Sequence, residues 1–314
     1  MGDKLISIAM ATYNGEQFIV EQLNSILSQS YKNLEIIICD DHSIDATPAI
    51  LKKYLQEDNR IKLFFNDTTL GLVKNFENAL SLCTGEYIAL ADQDDVWENN
   101  KIASLLINIK ASLLIHSDAT LIDSQGTVIN NSYTLYSKKN LEKNIYSYII
   151  ENNVTGCTAL FSRELLTYAL PFPKNILVHD WWLVLCAYKH GTITYLDHPL
   201  IRYRQHENNQ IGASDTAKIH SFEQREKAYK KTSLFLKTLL NIPFFSVGEK
   251  TFIARLVQYY EDFFTQGFRF RSLFFHLRYF RYFNESKPFS YRLLGLCLSF
   301  LGSEKQRNLW KYLK

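Results

Sequence analysis

Short apolar runs alternate with helix-like patterns over the first third of the chain. Each run is apolar on both faces, and the runs cover residues 5–12, 34–39, 61–66 and 86–91. Such runs are typical of parallel strands that helices cover on both sides. Apolar residues at helical spacing between the runs predict helices at 17–28, 47–56 and 73–82. This order predicts a doubly wound α/β domain with right-handed crossovers.

Polar residues follow three of the four predicted strands, at the point where each strand ends. They form the segments 12–16 (TYNGE), 40–43 (DDHS) and 92–95 (DQDD). Ligands of such sheets bind beyond the carboxyl ends of the strands, and parallel strands bring these ends to one edge. The sequence therefore places several carboxylates along one rim, where we expect a site.

The pattern changes after residue 112. Two strands around a tight turn are predicted at 112–123 and 128–130, followed by a helix near 140–150 and a strand from residue 159. A helix is predicted from 179 to about 190, and a strand at 193–196 ends before Pro199. The chain beyond residue 215 is predicted to be helical. We therefore divide the chain into a sheet domain, residues 1–214, and a helical C-terminal region, residues 215–314.

Three carboxylates stand within four residues, at Asp92, Asp94 and Asp95. At a strand end they repel one another, and a cation between them removes that cost. Oxygen ligands favour Mg²⁺ or Mn²⁺ over zinc, and such ions commonly bridge carboxylates and substrate phosphates. A solvated acidic turn, with an Asp as the N-cap of a following helix, explains the cluster equally well. Both interpretations stay open at this point.

Asp41 ends the second predicted strand, and Tyr13 follows the first. A carboxylate there can accept a hydrogen bond from the imide N–H of uracil or thymine, and the tyrosine ring can face the base. The alternatives are a turn residue and a packing aromatic. Neither a Gly-x-Gly loop nor a P-loop is present. A diphosphate would therefore not be held at a helix N-terminus, which leaves a metal on the Asp cluster to neutralise it.

Two further segments carry candidate chemistry. Asp180 opens a predicted helix beside two tryptophans, and an Asp beside apolar rings is a candidate general base as well as an ordinary N-cap. Trp181 and Trp182 point to different helix faces, so at most one is expected fully in the core and the other to line a cleft. Arg204 and His206 share a face if their segment is a strand. They suit a diphosphate and its metal, or a surface strand that balances acidic residues.

Taken together, these segments resemble the family 2 glycosyltransferases of the GT-A fold. The resemblance covers roughly residues 4–212 and rests on ordered motifs: ATYNGEQFIVEQLNSILSQSY, DDHSID, GEYIALADQDDVW, NNVTGCTALF, HDWW and YRQHENNQIGA. The set looks most like the bacterial rhamnosyltransferase-like branch, which uses dTDP-L-rhamnose or related donors. It implies a mostly parallel GT-A sheet with a C-terminal helical extension. A UDP-hexose is the alternative donor, because uracil and thymine present the same imide edge.

The resemblance also implies a role for each matching residue. Nucleotide and donor binding falls to Ala11, Thr12, Tyr13, Glu16, Asp41, Lys74, Asn75, Asp92, Gln93, Gly156 and Arg204. Within the DxD element Asp92-Gln93-Asp94, Asp94 is implied as a ligand of Mg²⁺ or Mn²⁺ together with His206. Trp181 and Trp182 are implied on the acceptor side, and Asp180 as the catalytic base. Many relatives carry Glu-Asp where this chain has His179-Asp180, which leaves the role of His179 open.

The implied reaction is a single inverting displacement. Asp180 removes a proton from an acceptor hydroxyl, which attacks the anomeric carbon opposite the departing nucleoside diphosphate, whose charge the metal stabilises. The implied acceptor is a cell-envelope polysaccharide or a polyprenyl-linked glycan. Two functions of other classes are a catalytically silent nucleotide-sugar-binding subunit and an NAD-dependent oxidoreductase. The presence of Asp41, Asp94 and Asp180 argues against the silent subunit, and the absence of a glycine fingerprint argues against the oxidoreductase.

Composition narrows the class of protein. With 314 residues, 46% apolar and 21% charged, the chain is long enough for a buried core and too hydrophobic to be disordered. Five cysteines without a CxxC spacing predict neither a disulfide framework nor a zinc site. The N-terminus lacks the apolar block of a signal peptide, and no run reaches ~18 apolar residues. We therefore expect a cytoplasmic protein without a membrane-spanning helix.

The charge is unevenly distributed along the chain. Residues 267–314 hold ten Lys and Arg and two Glu, a net +8 against +3 for the whole chain, which leaves −5 for residues 1–266. Segment 267–292 interleaves Phe and Tyr with Arg, which fits a helix docked on anionic lipid at the inner face of the cytoplasmic membrane, or a helix packed on the catalytic domain. We favour membrane docking, because the polyprenyl-linked acceptor that the resemblance implies would lie there. The acidic body argues against nucleic acid.

Overall fold

The computed structural model describes residues 3–137, 144–207, 222–262, 270–279 and 282–283. They belong to two compact units. The first comprises Met1–Tyr136, Val154–Phe172 and Val178–Gln210, and the second comprises Ser137–Asn153, Pro173–Leu177 and Ile211–Lys314. The predicted domain boundary after residue 214 lies outside the described residues, so it stays a prediction.

Half of the sheet forms where the apolar runs predict it. Its strands are β1 (Ile6–Thr12), β2 (Leu34–Asp40), β3 (Ile61–Phe65) and β4 (Tyr87–Ala91), and the helices between them are α1 (Ile19–Leu27), α2 (Thr47–Glu57) and α3 (Leu72–Ser81). Every one of these predicted elements is confirmed to within two residues at each end. All residues of β1 and β2 are buried on both faces of the sheet, which explains their consecutive apolar positions.

The other half of the sheet is mixed. Its strands are β5 (Val96–Trp97), β6 (Leu114–Ile122), β7 (Val128–Asn130), β8 (Ala159–Ser162) and β9 (Ile193–Arg204). Among the described residues the strand order is β3-β2-β1-β4-β8-β6-β9-β5, with β7 paired to β6. Strands β1 to β4 run parallel, whereas β8 is antiparallel to both β4 and β6. The predicted α/β fold is confirmed, and its antiparallel pairs lie in this second half.

Strand β9 is longer than the sequence predicts. The pattern ended a strand at Leu196, but β9 continues to Arg204 beside β6. Its register shifts where Pro199 faces Asp118. A proline cannot donate a ladder hydrogen bond, and an irregularity in the pairing lets the strand pass it. As a result, β9 pairs with β5 directly after the acidic segment at 92–95 and brings Arg204 there.

The remaining helices are α4 (Lys101–Asn108), α5 (Tyr133–Ser137), α6 (Ile145–Ile150), α7 (Leu165–Ala169), α8 (His179–His190), α9 (Phe222–Leu240), α10 (Val247–Glu261) and α11 (Phe270–Arg278). A 3-10 turn, Gly156–Thr158, precedes β8. In α8 every residue from Trp181 to Ala187 is buried, as expected of a helix that is apolar on all sides. The predicted helix over 179–190 is thus confirmed as an internal element of the first unit.

The regular secondary structure of the second unit is helical in its described residues. Helix α10 begins with a capping box, in which Ser246 and Glu249 each bond the other's backbone N–H. Lys237 of α9 pairs with Glu261 of α10. The Tyr146 ring of α6 packs edge-on against Phe252 of α10, with 4.9 Å between the centroids. No helix in the parts of the chain that the structure describes combines the length and the apolar character needed to cross a bilayer.

Helix α11 holds the described part of the aromatic and basic tail. Its Phe275 is buried and faces Tyr259 of α10, and Phe283 beyond the helix is buried against the same ring. One opposite face is exposed and apolar at i, i+4 and i+7 spacing, and it consists of Phe270, Phe274 and Leu277. One side of the segment therefore packs on its own unit, and the side chains on the other side are exposed. The remainder of the predicted segment lies outside the described residues.

A buried carboxylate joins three strands at the amino end of the sheet. Glu35 of β2 accepts hydrogen bonds from Ser7 Oγ at 2.5 Å, from Thr84 N–H at 2.6 Å and from Lys62 Nζ at 2.7 Å. Burial alone would raise the pKa of Glu35, but the hydrogen bonds from Lys62, Ser7 and Thr84 outweigh it and lower the pKa to about 2. This edge is opposite the one where the polar segments meet.

We expect Glu35→Gln to be less stable than the wild type at neutral pH and less sensitive to acid. The Glu35 pKa is about 2 in the folded protein against 4.5 as its ordinary value, so the carboxylate stabilises the fold above pH 4.5, and this contribution is lost as the pH falls toward 2. Losing hydrogen bonds to a charged group costs roughly 1.5–3 kcal/mol. Thermal melting across this pH range measures the effect.

The control for this variant is Glu57→Gln, because Glu57 is exposed and pairs only loosely with Lys53 at 3.8 Å. An exposed pair contributes little, so its melting curve should follow the wild type. A Glu35→Gln protein with the same dependence of Tm on pH as the wild type would contradict the assignment.

Candidate active site

Three loops meet at the carboxyl ends of β1, β2 and β4, and hydrogen bonds fasten the first two together. Asn14 N–H donates to Ser43 Oγ at 2.8 Å, and Ile44 N–H donates to Asn14 Oδ1 at 2.9 Å. Gly15 N–H donates to Thr47 Oγ1 at 2.8 Å. Asn14 has a left-handed φ of 47°, a conformation that Asn tolerates better than most residues. The loop after β1 is thus fixed to the loop after β2.

The four residues predicted to line a nucleoside pocket after β1 differ in exposure. Ala11 and Thr12 are buried in the strand, where Thr12 Oγ1 donates to a carboxylate of β2 at 2.9 Å. Tyr13 is 41% exposed. Glu16 is exposed, and its Oε2 accepts a hydrogen bond from Ala46 N–H at 2.7 Å. The Tyr13 ring and the Glu16 carboxylate are therefore the accessible groups, and nucleotide contact by these four residues stays a prediction.

Asp41 is buried and orders the loop between β3 and α3. Its Oδ1 accepts from Asn66 Nδ2 at 2.9 Å and from Leu70 N–H at 2.8 Å, and its Oδ2 accepts from Gly71 N–H at 2.8 Å. A carboxylate offers about four lone-pair positions. The three bonds leave capacity at Oδ2 for a further donor, and the predicted contact of Asp41 with a pyrimidine imide stays a prediction.

Lys74 and Asn75, both predicted to approach the nucleotide, have different surroundings. Asn75 is buried, donates from Nδ2 to Cys39 O at 2.8 Å and accepts at Oδ1 from Asn66 Nδ2 at 2.9 Å. Lys74 is exposed and pairs with Glu77 at 2.9 Å. Asn75 therefore holds the carboxyl end of β2, and Lys74 is the accessible member of the pair.

The acidic segment after β4 gathers carboxylates in an enclosed place. Asp95 is fully buried and Asp92 is half-buried. Burial, together with the charges of Asp94 and Asp180, raises the pKa of Asp92 to about 7. Burial and the charges of Asp94 and Asp92 raise the pKa of Asp95 well above its ordinary value. Asp180 is distant in sequence, but it lies close enough to the DxD element for its charge to raise the pKa of Asp92.

A lysine that the sequence analysis did not single out lies beside these carboxylates. Lys101 begins α4, is 0% exposed, donates from Nζ to Cys157 O and places Nζ 3.5 Å from the centroid of the Trp97 ring. Burial lowers the pKa of Lys101 to about 7, and the charges of Asp95 and Asp92 oppose that shift. The sequence feature that could have indicated this residue is its position on an otherwise apolar face of the helix.

The two residues predicted to bind a divalent metal are adjacent. His206 Nε2 lies 2.9 Å from Asp94 Oδ2, and both side chains are partly accessible. Two neighbouring ligands of an octahedral ion, each at 2.0–2.1 Å, are about 3.0 Å apart. Carboxylate oxygens are ligands that suit Mg²⁺ and Mn²⁺. The residues present therefore fit such an ion.

A second acidic group fits a cation less well. Ligand atoms of Asp92, Asp95 and Cys157 lie within 4.8 Å of one another. Burial raises the pKa of the Cys157 thiol well above its ordinary value, whereas metal binding needs the thiolate. The ammonium group of Lys101 interacts with both carboxylates and with the cysteine. A divalent ion is therefore better accommodated by Asp94 and His206.

Asp180 lies in the first turn of α8, held by two backbone donors. Its Oδ2 accepts from Gly156 N–H at 2.9 Å, and its Oδ1 accepts from Trp181 N–H at 2.7 Å. A Cβ added to Gly156 would lie 3.1 Å from Asp180 Cβ, so the close approach favours glycine there. The preceding His179 stacks on Phe76 with 3.7 Å between centroids, and burial lowers its pKa to about 3, which keeps it neutral.

Both tryptophans of the HDWW motif are buried, contrary to the expectation that at most one would be. Trp181 is 9% exposed and Trp182 is 2% exposed, and Trp182 Nε1 donates to Ala169 O at 2.9 Å. The expectation assumed that α8 has one buried face, but the helix is enclosed on all sides. The role of both residues on the acceptor side stays a prediction.

Arg204 is buried in contacts with the chain itself. It is 2% exposed, and its Nε donates to Asp94 O at 2.8 Å while its backbone N–H donates to Asp95 Oδ1 at 3.0 Å. Nη2 pairs with Glu21 at 2.5 Å, and the guanidinium lies 4.8 Å from the centroid of the Phe18 ring. The side chain holds the acidic segment in place, and its contact with a diphosphate stays a prediction.

We expect Arg204→Met to destabilise the fold by roughly 3 kcal/mol, because it leaves buried acceptors without their donor. The matched control is Arg202→Met on the same strand, since Arg202 is exposed and pairs with Glu98 at 3.2 Å. Such an exposed pair contributes about 0–1 kcal/mol. Denaturant unfolding measures both, and equal losses in the two variants would contradict this account of Arg204.

The first half of the chain matches a described protein family. Residues 7–168 match the family model described as Glycosyl transferase family 2. The dTDP-rhamnosyl transferase RfbG of Shigella flexneri is 33% identical over 223 residues, which are 65% of this chain and 74% of that protein. The Escherichia coli protein WfgD, named a UDP-Glc:alpha-D-GlcNAc-diphosphoundecaprenol beta-1,3-glucosyltransferase, is 30% identical over 199 residues, 63% of this chain and 75% of its own.

Solved structures share the fold at low identity. TarS 1-349 of S. aureus in complex with UDP-GlcNAc superposes with a TM-score of 0.59 at 20% identity, covering 90% of this chain and 82% of that one. The mannosyltransferase PcManGT of Pyrobaculum calidifontis, in complex with GDP-Man and Mn2+, gives a TM-score of 0.55 at 16% identity, covering 99% and 84%. The fold and the family match together mean that the chain belongs to glycosyl transferase family 2 and has the GT-A fold.

Proposed function

We propose that the protein is an inverting, metal-dependent glycosyltransferase that moves L-rhamnose from dTDP-L-rhamnose to a hydroxyl of a cell-envelope polysaccharide or lipid-linked oligosaccharide. A UDP-hexose is the alternative donor. The observation that carries the proposal is the convergence of Asp180 with the acidic segment: Asp180 Oδ2 accepts from Gly156 N–H at 2.9 Å, and the next residue, Cys157, places Sγ within 4.8 Å of carboxylate oxygens of Asp92 and Asp95. A base and a leaving-group site must share one cleft for a direct displacement.

The donor assignment rests on pyrimidine chemistry. The half-exposed Tyr13 ring and the Oδ2 of Asp41 lie on the joined loops after β1 and β2, where a base can stack and its imide N–H can be bound. RfbG is named a dTDP-rhamnosyl transferase and WfgD a UDP-Glc transferase. Both donors present the same imide edge, and the rhamnosyltransferase-like motifs favour dTDP-L-rhamnose.

In the proposed reaction, Asp180 accepts the proton of the acceptor hydroxyl as its oxygen attacks the anomeric carbon. The donations from Gly156 N–H and Trp181 N–H fix the orientation of the carboxylate before substrate binds. Buried His179 stays neutral beside it and adds no positive charge that would weaken the base. Asp94 and His206 would hold Mg²⁺ or Mn²⁺, which stabilises the negative charge of the departing nucleoside diphosphate.

The test is donor turnover by the full chain. Release of nucleoside diphosphate is measured with dTDP-L-rhamnose, UDP-glucose and UDP-GlcNAc, each with Mn²⁺ and with EDTA. We expect turnover of one donor that EDTA abolishes. Asp180→Asn should lower kcat by ~10²–10⁴, the usual contribution of a general base. The matched control is Asp197→Asn, because Asp197 is exposed on β9 away from the acidic segment.

Two outcomes would contradict the proposal. Nucleotide binding without turnover of any donor would favour the silent nucleotide-sugar-binding subunit. Equal kcat for Asp180→Asn and the wild type would contradict the role of Asp180 as the general base. Metal dependence is judged separately, since turnover unaffected by EDTA would contradict the role given to Asp94 and His206.

We also propose that the protein docks peripherally on anionic lipid at the cytoplasmic face of the membrane. The exposed apolar face of α11, at Phe270, Phe274 and Leu277, supports this, with Arg271 and Arg278 on the same helix. The net charge of +8 over residues 267–314 complements an anionic surface. A polyprenyl-linked acceptor would be met at that surface.

Liposome flotation tests the docking. We expect the wild type to float with vesicles that contain anionic lipid and less with neutral vesicles, and the triple change Phe270→Ser, Phe274→Ser and Leu277→Ser to abolish flotation. A control triple, Ile107→Ser, Val128→Ser and Leu135→Ser, removes equally exposed apolar side chains elsewhere and should float like the wild type. Equal flotation of both triples would contradict docking through α11.

A further inference from the structure

We propose that Gln93, the middle residue of the DxD element, is a positioning residue that fixes the ring of Tyr13 for the nucleobase, and that Gly15 is the space it requires. The inference deepens the proposed function and rests on it. It replaces the direct nucleotide contact that the resemblance implied for Gln93.

Both polar atoms of the Gln93 carboxamide are hydrogen-bonded to the backbone of one residue, Tyr13. Its Oε1 accepts from Tyr13 N–H at 2.8 Å, and its Nε2 donates to Tyr13 O at 3.0 Å. Both distances are those of ordinary hydrogen bonds. The side chain therefore pairs with Tyr13 as a neighbouring strand would, and it joins the loop after β4 to the loop after β1.

Gly15 provides the room for this pairing. A Cβ at Gly15 would lie 2.4 Å from Gln93 Oε1 and 2.6 Å from Gln93 Cδ, distances that real Cβ atoms essentially never show. Gly15 is buried, and the three heavy atoms nearest to such a Cβ all belong to the carboxamide of Gln93. Alanine at position 15 would have to displace the carboxamide of Gln93 and break its bonds to Tyr13.

Tyr13 is tethered from both sides while its ring stays accessible. Gln93 holds its backbone from the side of β4, and the neighbouring Asn14 is bonded to Ser43 and Ile44 from the side of β2. The side chain of Tyr13 remains 41% exposed. A ring with a fixed backbone loses less freedom on binding a base than a ring on a free loop, so the tether strengthens stacking.

The chemistry of the carboxamide is required as well as its length. Gln93 both donates and accepts, and it is neutral between Asp92 and Asp94. Glutamate has nearly the same shape, but its carboxylate cannot donate to Tyr13 O and would add a fourth carboxyl group to the acidic segment. A neutral group with one donor and one acceptor is the one that fits both constraints.

Calorimetric titration of UDP and of dTDP into the full chain with Mn²⁺ tests the inference. We expect Gln93→Ala and the isosteric Gln93→Glu to weaken binding of the nucleotide that the wild type prefers by roughly 5–30-fold, as for two neutral hydrogen bonds. kcat at saturating donor should change much less, because Asp180 is not touched. The matched control is Gln17→Ala, an exposed glutamine just after the same loop, which should bind like the wild type.

Two double-mutant cycles separate positioning from contact. If Gln93 acts through the ring, Gln93→Ala should weaken binding no further in a Tyr13→Ala background. Gly15→Ala should weaken binding as Gln93→Ala does, and the double variant Gly15→Ala with Gln93→Ala should be no worse than either single variant. Thermal melting of each variant confirms that it is folded.

Three results would overturn the inference. If Gln93→Ala binds nucleotide with wild-type affinity, Gln93 does not position Tyr13 for binding. If Gln93→Ala weakens binding as much in the Tyr13→Ala background as in the wild type, Gln93 contacts the nucleotide itself. Additive losses from Gly15→Ala and Gln93→Ala exclude the shared space. If the wild type binds neither UDP nor dTDP, the proposed function fails and this inference fails with it, which is distinct from a failure of the tether alone.

Discussion

The mutual repulsion of carboxylates at the end of β4 is the constraint on which the rest of the site depends. Asp92 and Asp95 are drawn into the protein, and burial and neighbouring charges raise the pKa of each. Two buried basic side chains from separate elements lie beside this segment: Lys101 of α4 and Arg204 of β9. Asp94 remains partly accessible beside His206. Lys101 and Arg204 thus support the acidic segment from inside the protein, while the carboxylate of Asp94 stays accessible to a ligand.

Hydrophobic patterning alone predicts the parallel half of the sheet, because strands buried on both faces need apolar residues at consecutive positions. It also predicts that the polar segments meet, since parallel strands end at one edge. Patterning fails at β9, where Pro199 marks a strand end locally but the pairing with β6 carries the strand past it. It fails again at Trp181 and Trp182, since no local pattern reveals that other elements enclose α8 on every side.

The site itself was reached by resemblance more than by spacing. Asp94 and His206 are 112 positions apart, and only the ordered motifs bring them together before the fold is known. The same motifs say little about what else each side chain does. Asp41, Asn75 and Arg204 bond loops and strands of the chain itself, contacts that a motif cannot distinguish from ligand contacts. Lys101 was missed because a lysine on an apolar helix face is ordinarily exposed.

The burial of Lys101 has a consequence for engineering. Its ammonium group depends on the Cys157 carbonyl and on the charges of Asp92 and Asp95, which come from two different loops. Opening either loop removes partners of this buried side chain, so we expect the first turn of α4 and both loops to unfold as one cooperative unit. Neutralising the acidic loop to make an inert binder would leave Lys101 buried without its charged partners. A redesign that changes the acidic loop, or moves it to another scaffold, must therefore change Lys101 as well.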